Sequence, residues 1–219
     1  MTLRRVAFWA ACIGVPIGLV SDGLYFAAAH FPLDPAAMIR LDVLAADPTL
    51  LRWAAVTDFA GFYVPLVPVA LYLRSRLAGR DALLDLYTVA GLAFAVVGGA
   101  AALVLGAVGP GLAAAGDAVA ARALADTVFV AIWQTFGAVA FGVFAIGIGR
   151  LLRPGHRSLG TLTIFMGADA LLVAIARVAG LEPVAIVTIV IWLPLLSVWS
   201  AWLAASALRE DLPDLALAA

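Results

Sequence analysis

Apolar residues run along this chain in six blocks, each about as long as a bilayer is thick. The clearest is Trp53–Leu73, WAAVTDFAGFYVPLVPVALYL, whose main polar interruptions are Thr57, Asp58 and Tyr63. As a helix rising 1.5 Å per residue it measures about 31 Å, enough to cross a hydrocarbon core. The other five are Val6–Phe26, Leu83–Ala107, Thr127–Gly149, Leu159–Val178 and Pro183–Leu203. This pattern predicts an all-α fold, a polytopic bundle of six transmembrane helices within one domain, residues 1–219.

Polar positions set the orientation. Trp53–Leu73 runs straight into RSRLAGR, with three arginines in seven residues. Nine arginines fall on the side of the two termini: Arg4 and Arg5, then Arg74, Arg76 and Arg80, then Arg150, Arg153 and Arg157, and lastly Arg209. Four fall on the other side, at Arg40, Arg52, Arg122 and Arg177. The positive-inside rule then predicts both termini in the cytoplasm and a cytoplasmic (inner) membrane location. Termini on the same side require an even number of helices, and the six blocks agree with that.

The connections differ in character. In the long outer one, His30–Arg52, Asp34-Pro35 looks like an N-cap followed by proline at the first helical position. Met38, Ile39, Leu41, Val43 and Leu44 then interleave with Arg40 and Asp42. Two readings fit: a short lid-like interfacial helix, or an ordinary amphipathic connector. GPGLAAAGDAVAARALAD reads as a second outer loop, with Asp117 capping a turn into the fourth helix. AGLEP is a tight turn that makes the last two helices antiparallel neighbours. The start, MTLRR with an apolar run and Ala27-Ala28-Ala29, also has the outline of a cleavable signal peptide, although Asp22 and Tyr25 fall late within the run.

Composition removes several classes of chemistry. The chain is 65% apolar and 12% charged, with a mean hydropathy of +1.11, where a soluble domain is about half apolar and a quarter charged. It contains no lysine, so no retinal Schiff base can form. His30 and His156 lie outside the apolar blocks, which excludes an intramembrane bis-histidine haem, and the lone Cys12 allows neither a disulfide nor a thiolate cluster. No cofactor and no metal are therefore expected. A net charge of −1 gives no sign of nucleic-acid binding.

What remains is a set of polar and aromatic residues within the apolar blocks. Asp58 lies about a quarter of the way in from the outer side, Gln134 at a similar depth after Trp133, and Asp22 near the outer end of helix one beside Tyr25. Asp169 is deepest, with Arg177 two turns above it. A short carboxylate cannot snorkel to the headgroups, so Asp58 and Asp169 must be protonated, paired or facing water or a ligand. The rival reading is structural: Asp58 paired with Arg52, Asp169 with Arg177, and Asp22 and Glu182 simply solvated. Tyr25, Phe62, Tyr63 and Trp133 are candidates to line an apolar pocket with few polar groups; Trp53 fits an interfacial anchor. Pro65 and Pro68 free the carbonyls of Gly61 and Val64 just below Asp58, and a kink there should open space and leave acceptors facing it. Pro16 and Pro194 read as ordinary membrane-helix prolines. Glycine stripes, Gly98–Ala102–Gly106 and Gly137–Gly142–Gly147–Gly149, predict close helix crossings.

Two passages carry a family resemblance: LAADPTLLRWAAVTDFAGFYVPLVPVALYLRSRL, and WQTFGAVAFGVFAIGIGRLLRPGHRSLGTLTIFMGADALLVAIARVAGL. Each brings an acid-bearing helix and an arginine-marked turn together, and the chain from about Arg5 to Leu203 resembles the bacterial six-helix membrane family filed as domain of unknown function 4386. The resemblance implies architecture, including retention of helix one, and supplies no catalytic residues.

Three functions follow from these residues. The first is a non-catalytic membrane protein whose outer-half pocket of Asp22, Tyr25, Phe62, Tyr63, Trp133, Gln134 and Arg177 binds a membrane lipid or other apolar small molecule, as a sensor or as the accessory subunit of a membrane-protein partner. The second is an intramembrane isoprenoid (terpene) cyclase in which Asp58 or Asp169 is the catalytic general acid and aromatic faces stabilise the carbocation. The third is a transporter, disfavoured by the lack of a second polar layer and of an internal repeat.

Overall fold

The computed structural model describes residues 2–30 and 40–208. Asp34-Pro35, Met38, Ile39 and Arg209 lie outside the described residues. Every regular element among the described residues is helical. Six helices are long and apolar enough to cross a membrane: α1 (Leu3–Ala28), α2 (Pro48–Arg76), α3 (Leu84–Ala114), α4 (Ala118–Leu152), α5 (Arg157–Val178) and α6 (Glu182–Leu208). The protein is a multi-pass membrane protein built as a helix bundle. Each helix packs on the next in sequence and α6 returns to α1, so the six close into a ring. We call the end carrying Ala28, Pro48, Ala114 and Glu182 the far end, and the other the terminal end.

Hydropathy understates the helices at the far end. Helix α2 begins at Pro48 instead of Trp53, because Asp47 caps it by accepting from the Thr49 and Leu50 amides at 3.0 and 2.9 Å. Helix α3 runs through Pro110 to Ala114, and α4 starts at Ala118, where Asp117 accepts from the Ala120 amide at 3.0 Å. The expected loop of residues 109–126 therefore shrinks to residues 115–117, turned by Gly116 at φ +68°. Hydropathy marks the lipid-embedded length, whereas caps mark where the backbone ladder ends. The AGLEP turn is as tight as expected: Gly180 has φ +71° and the Leu181 amide donates to the Ala176 carbonyl at 2.8 Å.

Lipid gives helices no hydrophobic reason to associate, so close backbone approach must hold them together. At the crossing of α1 and α2 a Cβ placed on Gly61 would lie 2.3 Å from the Gly18 amide nitrogen. The Gly61 carbonyl, relieved of a donor by Pro65, faces Gly14 of α1 rather than an open space, since a Cβ there would come within 2.8 Å of it. Gly149 of α4 meets Gly160 of α5 in the same way, and Gly98 of α3 lies beneath the Tyr63 ring. The terminal half is filled by Leu73, Phe141, Phe144, Ile148 and Trp199, all buried, with the Trp199 indole donating to Thr163 at 2.9 Å. Val89, Val96, Ile175 and Val187 stand exposed on the outside, as a lipid-facing surface requires.

Gly61→Ala should lower the stability of the purified protein by about 1–3 kcal/mol, the usual cost of overpacking. Gly111→Ala, where a Cβ meets nothing within 4 Å, should leave it within about 0.5 kcal/mol. Thermal unfolding in one detergent checks both.

Candidate functional site: an aromatic cavity with two carboxyls

A cavity of about 190 Å³ extends from the middle of the ring towards its far end, and all six helices contribute to its wall. Two of them are locally rewound to do so. In α2 the α-helical ladder ends at Asp58, and Phe59–Tyr63 forms a π-helical turn closed by the Val64 amide on the Phe59 carbonyl, five residues back. Pro65 follows at once. It has no amide hydrogen to offer, so a shift of register by one residue loses nothing there. Asp58, Phe62 and Tyr63 then share the inward face at spacings of four and five residues.

Helix α4 carries a longer π-helical stretch, Asp126–Gly137. It is rich in β-branched residues (Thr127, Val128, Val130, Ile132, Thr135), which crowd an α-helical turn. The Thr135 hydroxyl reinforces the wider winding by donating to the Val130 carbonyl, again five back, at 2.8 Å. The same spacing brings Phe129, Trp133, Gln134 and Ala138 onto the cavity face. Trp133 is fixed across the ring, its indole nitrogen donating to the Gly98 carbonyl of α3 at 3.1 Å.

Aromatic rings close the cavity above and below. On the terminal side Phe94, Phe141 and Trp192 form a mutually inclined trio, with Phe141 5.3 Å from each of the others. On the far side Tyr25 and Phe129 stand edge-on to Trp133 at 6.4 and 5.0 Å. Tyr25 and Phe129 also belong to the apolar cluster that buries Leu41 and Leu44. Leu41–Leu44 is a single helical turn over the far end, packed on α1, α3 and α4. Within the described residues, the lid-like reading of the first connection thus corresponds to this turn.

The polar groups of the wall are Asp22, Tyr25, Asp58, Tyr63, Gln134 and the indole nitrogens of Trp133 and Trp192, the last without a hydrogen-bond partner; no arginine or histidine joins them. Asp58 is within electrostatic reach of Asp22, Tyr25 and Tyr63. The Ser21 hydroxyl, donating to the Ala54 carbonyl at 2.9 Å, ties the two acid-bearing helices together beside them. The Tyr25 hydroxyl and the Gln134 side-chain oxygen are buried without a hydrogen-bond partner. Asp22 is only half-buried but turns to the cavity, so it is not simply an interfacial acid.

Seven of the expected site residues therefore come together: Asp22, Tyr25, Asp58, Phe62, Tyr63, Trp133 and Gln134. Asp169 and Arg177 do not. Helix α5 presents Ala170 and Val173 to the cavity, and Asp169, one position earlier, is buried outside the wall. The expected pairings are also absent. Arg177 pairs with Glu182 across the Gly180 turn, leaving Asp169 Oδ2 without a partner, and Glu182 is thereby engaged. Arg52 is exposed while Asp58 is buried, since six residues turn a helix by about 240°. Phe94, Phe129, Phe141 and Ile189 also line the cavity and carry no sequence signal, because one phenylalanine in a membrane helix looks like any other.

No protein-family model matches the chain, and neither a curated protein nor a solved structure is significantly similar to it.

Proposed function

We propose that the protein is a membrane-embedded binding protein whose aromatic cavity holds a small, largely apolar molecule, as a sensor or an accessory subunit. The observation that carries this reading is the pair of buried, unpartnered atoms, Tyr25 Oη and Gln134 Oε1, on residues that line a mostly aromatic space of about 190 Å³ together with Asp22 and Asp58. Leaving such a group unmet costs about 1–3 kcal/mol, and a ligand with a polar end recovers it. Pre-formed apolar pockets with a few converging polar groups are the usual form of small-molecule sites.

Size argues against the isoprenoid cyclase. A cavity of about 150 Å³ holds one benzene ring, so about 190 Å³ accommodates a single ring or a short branched chain. A folded isoprenoid chain would have to extend out of it through its open side. Asp58 is therefore assigned to binding and not to proton donation, and Asp169 has no access to a substrate there.

Mass spectrometry of molecules that co-purify in mild detergent tests the reading. A discrete molecule should accompany the wild type and Asp169→Asn, and should fall about tenfold or more in Asp58→Asn and in Ala138→Leu, which fills the wall without touching an acid. Nothing beyond bulk lipid in any sample would overturn it.

We also propose that the arginine-rich terminal end faces the cytoplasm, with the cavity in the outer half of the inner membrane. In a Cys12→Ser background, Ala115→Cys should react with an impermeant maleimide on intact cells, and Ala78→Cys only after lysis. The reverse labelling would invert the topology.

A further inference from the structure

The wall of the cavity specifies more than apolarity. Nine of its sixteen residues are aromatic, two are carboxylic acids, and none is cationic. A neutral hydrocarbon makes no use of Asp22 and Asp58. An anion is repelled by them and by the negative faces of the rings. An inorganic divalent cation wants six to eight oxygen ligands in the case of calcium, whereas no group of three metal-ligating side chains occurs among the described residues.

An ammonium ion on an apolar body uses the acids, the rings and the unpartnered oxygens. Its charge is balanced by Asp22 and Asp58. Its N–H groups donate to acceptors, and the unpartnered atoms Gln134 Oε1 and Tyr25 Oη are both able to accept. Its body packs against the trio of Phe94, Phe141 and Trp192, and the aromatic rings of the wall attract the charge. We infer that the cavity binds an organic ammonium ion, a protonated amine carried on an apolar body about the size of one aromatic ring. This rests on the binding reading above and narrows it to one class of ligand. The amine has two sources of the same chemistry: a free amphiphilic amine, or the headgroup of an aminolipid.

The test compares benzylammonium with benzyl alcohol, near-isosteres that differ in charge, by titration calorimetry on the wild-type protein in a non-ionic detergent. Benzylammonium should bind about tenfold tighter or better, and Asp58→Asn should abolish that preference. Equal binding of the two by the wild type, or tighter binding of the alcohol, overturns the ammonium assignment and leaves the cavity as a neutral binding site. Binding of neither probe also overturns the assignment; the broader reading then falls only if the co-purification experiment finds no discrete molecule. Because the wild-type comparison needs no variant, misfolding of Asp58→Asn does not blunt the test. Repeating the titration in phosphatidylglycerol nanodiscs, with and without phosphatidylethanolamine, assigns the source. Competition by phosphatidylethanolamine upholds the ammonium site and points to a lipid headgroup, and unaltered benzylammonium affinity upholds it for a free amine.

Discussion

Inside a bilayer no water is at hand to satisfy a backbone group, so a helix cannot open without cost. It can, however, shift its hydrogen bonds by one residue and keep nearly all of them. The cavity lies where two helices have done this, at Phe59–Tyr63 in α2 and Asp126–Gly137 in α4. The wider turn holds neighbouring residues on one face: Phe62 beside Tyr63, and Trp133 beside Gln134. Returning α2 to uninterrupted α-helix would rotate everything beyond the π turn by about 100°, so Asp58 and Tyr63 would no longer face the same space. The proline that makes the shift inexpensive, Pro65, touches the cavity nowhere, yet the geometry depends on it.

The ring around that cavity is held by contacts of the opposite kind. Where α1 crosses α2 and where α4 crosses α5, glycine removes side chains altogether and backbone meets backbone. The large side chains are spent in the lumen, and unevenly. Phe141, Phe144 and Trp199 fill its terminal half, and the cavity lies between them and the apolar cluster at the far end. A second, smaller cavity of about 30 Å³ lies between α1, α2 and α6, against Ser197 and Trp199, and has no charged residue in its wall. A molecule in the main cavity thus meets a plug on the terminal side, an arrangement suited to holding a ligand and poorly suited to passing one through.

Much of the architecture is legible in the sequence because bilayer thickness imposes a length on apolar runs that few other constraints imitate. The far-end boundaries were misjudged for a specific reason. Asp47-Pro48 carries the same cap-and-proline signature that Asp34-Pro35 does, but Arg52 and Thr49 depress local hydropathy and hide the helix it starts. Polar site residues such as Asp58, Asp22 and Gln134 announce themselves, since a polar group in an apolar run is an anomaly. Phe94 and Phe141 do not, because burial against the lumen and exposure to lipid favour the same residue. The π-helical segments were equally hidden: prolines predicted a kink with carbonyls facing the cavity, whereas the chain shifted register and turned the Gly61 carbonyl to α1.

Asp58 and Asp169 were indistinguishable by depth and residue type, and rotation about the helix axis separates them. Position 170 faces the lumen, so position 169 stands about 100° away from it. Arg177, the obvious partner for Asp169, is drawn instead to Glu182 because the Gly180 turn brings the start of α6 to the end of α5. No arginine among the described residues then lines the cavity. Asp22 and Asp58 share one low-dielectric space with no fixed positive charge, held near one another by the Ser21–Ala54 bond. Two like charges in such a place are costly unless a proton or a positive guest stands between them. The rings around them pack edge to face and leave a space already formed. Charge and shape are therefore read at one point, the one place in the described chain where acids and aromatic faces converge.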